Sequence, residues 1–127
     1  MVLLLALISL LCAVTYIVDP YFQYRVKDNS YMLNGYYVGP GLIRNYDYDT
    51  LIIGSSMTQN FDMDIFRENL GNSPLHIGLG AMNWTEIKEM LCFADSVGKA
   101  TDYYVCVDLG GFRDNRESRL ATYLLDD

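Results

Sequence analysis

The chain has 127 residues, enough for one domain but small for an enzyme. Hydrophobic residues make up 51% and charged residues 20%, which excludes a disordered chain and a collagen-like repeat. The net charge is −7, from 9 Lys and Arg against 16 Asp and Glu, and no basic cluster interrupts the acidic pattern. We therefore expect no nucleic-acid partner.

The first part of the chain is an apolar run from Val2 to Val18, and no charged residue precedes Asp19. As a helix this run is about 26 Å long, at the short end of what a hydrocarbon core of about 30 Å requires. Tyrosines flank the run, and Asp19-Pro20 ends the helix because a residue before proline avoids the α region. We expect residues 1–18 to be a transmembrane anchor, with a cleaved signal peptide and a buried core helix as alternatives.

The charges around this run give an ambiguous topology. The first cations, Arg25 and Lys27, lie on its C-terminal side. The positive-inside rule, taken literally, then puts the domain in the cytoplasm. We expect instead that a basic stretch precedes Met1 in the natural protein. This predicts a membrane localisation through a single-pass N-terminal anchor, with the domain outside the cytoplasm.

Nothing in the sequence indicates a metal or a cofactor. The three cysteines, Cys12, Cys92 and Cys106, form neither a C-x-x-C pair nor a pair with histidine, so a zinc site is not expected, and Cys92 and Cys106 are expected to pack in the core. The spacing Gly78-x-Gly80-x-x-Asn83 imitates a dinucleotide fingerprint, but it lacks the third glycine and follows the second strand.

The remaining chain divides into two segments. Residues 19–49 are rich in Tyr, Asn, Gly and Asp and contain the turn signal Gly39-Pro40-Gly41, which predicts an irregular lead-in segment. From residue 50 onward, strands and helices alternate. Strands are expected at 50–53, 75–79 and 103–109, a helix capped by Asp62 at 63–70, and a helix from an Asn83–Glu86 capping box to Gly98.

The order β-α-β-α-β predicts a parallel sheet, whose ligand site lies beyond the carboxyl ends of its strands. That rule gathers Ser55-Ser56, residues 80–83 and residues 108–115 on one rim. A serine at a strand-to-helix turn is where α/β hydrolases place their nucleophile. Either serine fits this pattern, and both are equally compatible with a small turn residue or with phosphate binding through the backbone.

The block from Asp47 to Phe61, DYDTLIIGSSMTQNF, resembles the opening block of SGNH-type proteins, especially the family of D-alanyl-lipoteichoic acid biosynthesis (DltD-like) proteins. The lead-in sequences DPYF and PGLIRN resemble that family as well. The resemblance implies a partial flavodoxin-like, three-layer α/β domain with a parallel sheet over residues 50–127. It also implies Ser56 as the nucleophile and Gly80 as an oxyanion-hole residue.

The sequence departs from this family at two blocks. Asp108 lies nearest the position where the family has an asparagine after the third strand, and no Asp-x-x-His block is present. The only histidine, His76, begins the second strand, about 13 Å from the strand's carboxyl end at ~3.3 Å per residue. We therefore expect His76 near the opposite rim and not as a base for Ser56. Because the Asp-x-x-His block is missing, we expect residues 50–127 to be the N-terminal part of a truncated domain.

The resemblance implies a membrane-anchored acyl-ester hydrolase or acyltransferase that acts on cell-envelope glycopolymers and is inactive as this chain stands. Its expected partners are the membrane and a cell-envelope glycopolymer or an acyl carrier. The alternative is a non-catalytic accessory membrane protein, or an inert truncated product with the same fold.

Overall fold

A computed structural model describes residues 1–25, 35–113, 117–118 and 120. Its helices are α1 (Val2–Val18), α2 (Gly35–Asn45), α3 (Met63–Leu70), α4 (Trp84–Val97) and α5 (Leu109–Arg113), with a 3-10 turn at Ser56–Asn60. Its strands are β1 (Thr50–Gly54), β2 (Pro74–Gly78) and β3 (Asp102–Val105). The rim position Asn115 lies outside the described residues.

The three strands form one sheet in the order β2-β1-β3, and both pairings are parallel. Thr50 at the start of β1 lies opposite Pro74 on one side and Asp102 on the other. The expected α/β fold with a parallel sheet is thus confirmed. The order is that of the first three strands in a flavodoxin-like, doubly wound sheet.

Helices cover the two faces of the sheet unequally. Leu51 and Ile53 of β1 point to one face and belong to the main core, together with Met90 of α4 and Ile43 of α2. On the other face, α3 lies over the sheet, but no residue of α3 is buried. An edge-to-face contact between Phe66 of α3 and a β3 tyrosine, with ring centroids 5.5 Å apart, is its clearest packing interaction.

Local capping fixes the boundaries of α3 and α4. The Asp62 carboxylate accepts from the Asp64 N–H, and Asn83 and Glu86 form the reciprocal capping box that the sequence predicts. Gly98 ends α4 in the left-handed conformation, with φ of 70°. These helix ends follow from the sequence because each cap involves residues at most four positions apart.

The predicted transmembrane anchor at 1–18 is wrong, and with it the predicted membrane localisation. Among the described residues, no helix combines the length and the apolar character that crossing a membrane requires. α1 ends at Val18, where Asp19-Pro20 was expected to stop it, and its 17 residues give about 26 Å against the roughly 30 Å of a hydrocarbon core. The buried core helix is excluded too, since no residue of α1 is buried.

The lead-in segment 19–49 was expected to be irregular, but it contains the helix α2, with Pro40 inside it. The glycines of this helix serve close packing instead of turns. A Cβ at Gly39 would collide with the Met90 side chain of α4, and one at Gly41 with the backbone carbonyl of Tyr21. α2 is therefore a helix whose small residues let it lie tightly against its neighbours.

Candidate active site

The carboxyl ends of the three strands open into a crevice of about 420 Å³. β1 leads outward to β2, and the chain then crosses back to β3 on the other side of β1, so the crevice lies at the point where the strand order reverses. Open α/β sheets bind ligands at this position. The crevice is lined by Ser55, Ser56, Met57, Ala81, Met82, Asp108, Gly110 and Gly111.

The two serines differ sharply in their surroundings. Ser55 is only 5% exposed, and its hydroxyl oxygen accepts from the Met57 N–H at 3.4 Å, while its side chain also hydrogen-bonds the Asp108 carboxyl. Ser56 is exposed and begins the 3-10 turn. Ser55 is therefore held as a capping residue, whereas Ser56 is open to a ligand in the crevice.

The turn that carries these serines is compact because Gly54 precedes it. A Cβ at Gly54 would lie 2.6 Å from Thr58 Cγ2 and 2.8 Å from Cys106 Cβ, closer than real side chains approach. Thr58 is fully buried beneath the turn, and its hydroxyl donates to the Ser55 carbonyl at 2.9 Å. Gly54 and Thr58 together set the position of Ser56 at the end of β1.

Asp108 caps the short helix α5 across the crevice. Its carboxylate accepts from the Gly111 N–H at 2.8 Å. The hydrogen bond from the Ser55 side chain, followed by that from the Gly111 backbone, lowers the pKa of Asp108 below its usual value. The group is therefore an anion at neutral pH. An anion here disfavours a neighbouring oxyanion, so Asp108 does not replace the asparagine of the SGNH pattern.

His76 lies closer to the serine turn than the sequence predicts. Its backbone pairs with Ile52, two residues before the end of β1, but its Nε2 lies 3.0 Å from Thr58 Oγ1. The Thr58 hydroxyl lies within hydrogen-bond distance of both the Ser55 carbonyl and this ring nitrogen, so it links the imidazole to the turn. Desolvation lowers the pKa of His76. The neutral imidazole thus supports the turn through Thr58 and hydrogen-bonds neither serine.

Gly80 lies at the edge of the crevice, next to its lining residue Ala81. The Gly80 carbonyl accepts from the Tyr36 hydroxyl at 2.8 Å, and a Cβ at Gly80 would meet nothing within 4 Å. Ala81 takes φ of 53°, a left-handed conformation that costs an L-residue about 1 kcal/mol or more. The left-handed backbone at this turn is therefore at Ala81 and not at Gly80. The oxyanion-hole role of Gly80 stays a prediction.

The described residues contain no group of three His, Cys, Asp or Glu side chains arranged to hold a metal ion. All three cysteines are free. Cys106 is partly buried beside the serine turn, but Cys92 is exposed, contrary to the expectation that it packs in the core. Cys92 lies within the predicted helix, but on the outer side of α4.

Comparison with known proteins gives no relative: no family model, no curated protein and no solved structure matches the chain. The similarity to SGNH-type proteins therefore remains a prediction from the blocks of sequence that suggested it.

Proposed function

We propose that the crevice is the nucleophile half of an SGNH-type acyl-ester site, used for hydrolysis or acyl transfer on cell-envelope glycopolymers. The observation that carries the proposal is the position of Ser56. It is an exposed serine at the first position of a tight turn after the central strand, in a cavity at the switch point of a parallel sheet.

In the proposed reaction the Ser56 Oγ attacks the carbonyl carbon of the ester. The Ser56 proton passes through a base to the leaving alcohol oxygen as the carbon–oxygen bond of the ester breaks, which leaves an acyl-serine. Water or an acceptor hydroxyl then attacks the acyl carbon, and its proton returns to the Ser56 oxygen. The amides of Ser56 and Gly80 are the proposed donors to the oxyanion.

The chain's only histidine does not supply this base, because its Nε2 is hydrogen-bonded to Thr58 and not to Ser56. General-base catalysis typically contributes 10²–10⁴-fold, so we expect the chain by itself to react slowly. Imidazole added to the buffer can replace a missing histidine base when the nucleophile is exposed, as Ser56 is. This gives an assay for the proposed nucleophile that does not depend on an intact triad.

The experiment is covalent labelling with a fluorophosphonate, in which Ser56 Oγ bonds to phosphorus, fluoride leaves and the base takes the proton. Peptide mass spectrometry then measures the labelling rate of each serine. We expect labelling of Ser56 near background without imidazole and about tenfold faster with it, and loss of the signal in Ser56→Ala. Ser73, an exposed serine at the amino edge of the sheet, is the internal reference. Equal rates at Ser56 and Ser73 at every imidazole concentration would contradict the proposal.

A second candidate is a non-catalytic accessory protein with the same fold. The Ser55–Asp108–Gly111 hydrogen bonds favour it, because they place a charged carboxylate in the crevice. In that case the crevice binds a ligand without forming a covalent bond, and Ser56 does not respond to imidazole.

A further inference from the structure

Thr58 occupies a seat made by two glycines that lie side by side in the sheet. Gly54 of β1 pairs with Gly78 of β2, on the face of the sheet that also carries the His76 side chain. A Cβ at Gly54 would lie 2.6 Å from Thr58 Cγ2, and a Cβ at Gly78 would lie 2.6 Å from Thr58 Oγ1. The methyl group and the hydroxyl of Thr58 thus rest on different strands, and both contacts require glycine.

This seat fixes the direction of the Thr58 hydroxyl. Its Oγ1 lies 2.9 Å from the Ser55 carbonyl oxygen and 3.0 Å from His76 Nε2, and the residue is 0% exposed. The Thr58 backbone N–H donates to the same Ser55 carbonyl at 3.1 Å. Thr58 therefore holds the Ser55 carbonyl with two groups, one from its side chain and one from its backbone.

The Ser55 carbonyl belongs to the same peptide group as the Ser56 N–H. This peptide group is planar and trans, so its C=O and its N–H point in opposite directions. Because the carbonyl points inward to the buried Thr58, the Ser56 N–H points outward from the turn. Ser56 is the first residue of the 3-10 turn, so the turn itself supplies no acceptor for this N–H. A carbonyl that accepts hydrogen bonds also polarises its peptide group and strengthens the opposite N–H as a donor.

We propose that Thr58 is a positioning residue that aims the Ser56 N–H into the crevice as an oxyanion donor. The inference rests on the acyl-ester function proposed above. Thr58 does not line the crevice, so it acts on the reaction through the Ser55–Ser56 peptide group and not through contact with a substrate. Its methyl group sets the side-chain rotamer against Gly54, and its hydroxyl holds the peptide group.

The experiment compares Thr58→Val, which keeps the shape and loses the hydroxyl, with Thr58→Ser, which keeps the hydroxyl. Fluorophosphonate labelling of Ser56 is measured at one imidazole concentration over a range of probe concentrations. Loss of a whole oxyanion donor costs about 10²–10³-fold, so misdirection of one should lower the maximal labelling rate of Thr58→Val by about tenfold. Half-saturation by the probe should not change. Thr58→Ser should recover most of the rate, whereas a purely structural role would leave the maximal rate of every folded variant unchanged.

A second readout does not require a reaction at Ser56. The amide ¹⁵N shift of Ser56 reports hydrogen bonding to the Ser55 carbonyl, because both atoms belong to one peptide group. We expect this shift to change in Thr58→Val and to stay near its original value in Thr58→Ser. Thr101→Val, at an exposed threonine just before β3, is the matched control and should leave both the shift and the labelling rate unchanged.

The outcomes separate this inference from the function on which it rests. Absence of imidazole-dependent labelling of Ser56 in the unaltered chain would refute the proposed function, and the amide shift would then decide whether Thr58 orients the peptide group. Labelling that is equally fast in Thr58→Val, or an unchanged Ser56 shift, would overturn the positioning role. Should Thr58→Val fail to fold, Thr58→Ser and Thr58→Ala replace it as a pair, because both lose the methyl group and only one keeps the hydroxyl.

Discussion

The buried hydroxyl of Tyr48 gives the most direct test of how the core is packed. Its side chain is only 4% exposed, and among the described residues its hydroxyl has no hydrogen-bond partner. A buried hydroxyl that loses water without gaining a partner costs about 1–3 kcal/mol. Tyr48→Phe removes that hydroxyl and keeps the ring in the core, so we expect the free energy of unfolding to rise by about 1–2 kcal/mol.

The pH dependence of stability provides a second measure of the same defect. Desolvation, and secondarily the neighbouring Tyr103, raises the pKa of Tyr48 from 10.0 to about 12. Between these values the unfolded chain releases the phenol proton while the folded chain keeps it, so stability falls as pH rises. This group should lower stability by about 1.4 kcal/mol per pH unit between the two pKa values, and the decline should level off near pH 12. Tyr48→Phe should not show this decline.

Urea unfolding followed by circular dichroism, with the fluorescence of Trp84 as a second probe, measures these changes. Tyr36→Phe is the control of opposite sign. The Tyr36 hydroxyl donates to the Gly80 carbonyl, so its removal should destabilise the fold by about 1 kcal/mol. A Tyr48→Phe variant that is less stable than the unaltered chain would show that the hydroxyl has a favourable partner, and the argument would fail.

Three further predictions concern the serine turn and α4. Gly78→Ala should destabilise the fold by about 1–3 kcal/mol in urea unfolding, because its Cβ would lie 2.6 Å from Thr58 Oγ1 and 2.7 Å from His76 Nε2; a neutral effect would mean that the turn can move away. Asn83→Ala should cost about 1 kcal/mol through loss of the capping box, and an unchanged urea midpoint would contradict that. Burial lowers the pKa of His76 from 6.5, so the unfolded chain binds the proton first and stability should fall as pH drops below about 6.5. His76→Gln should remove that part of the pH dependence, and an identical acid profile in the variant would show that another group causes it.

Local rules were sufficient where neighbouring residues decide the structure. β1, α3 and the capping box of α4 could be predicted because each depends on a short apolar run or on a cap a few residues away. β3 was predicted to extend to Leu109 because residues 103–109 are hydrophobic except for Asp108. It ends at Val105, Val107 and Leu109 are exposed, and α5 begins at Leu109.

The features that could not be predicted from the sequence depend on contacts between residues distant in the chain. The glycines of α2 gave a turn prediction because the side chains that require them, such as Met90, are distant in sequence. The link between His76 and Thr58 joins residues 18 positions apart, and no periodicity or spacing marks it. Ser56 and the general position of the rim were predictable because they follow from strand order alone. The capping role of Asp108 depends on α5, which was not expected.

The central position of β1 also determines the order in which the crevice can be assembled. Thr50 pairs with Pro74, 24 residues away, and with Asp102, 52 residues away. Closing the longer loop costs about 0.7 kcal/mol more chain entropy, so pairing of β1 with β2 is favoured as the earlier event.

The intermediate with only β1 and β2 paired has the serine turn but lacks the opposite wall, since Asp108 and Gly111 lie beyond β3. During synthesis, the ribosome must release the residues past β3 before the cavity exists at all. Ligands of the crevice therefore cannot act as a template for the early steps of folding, and they stabilise only the finished sheet.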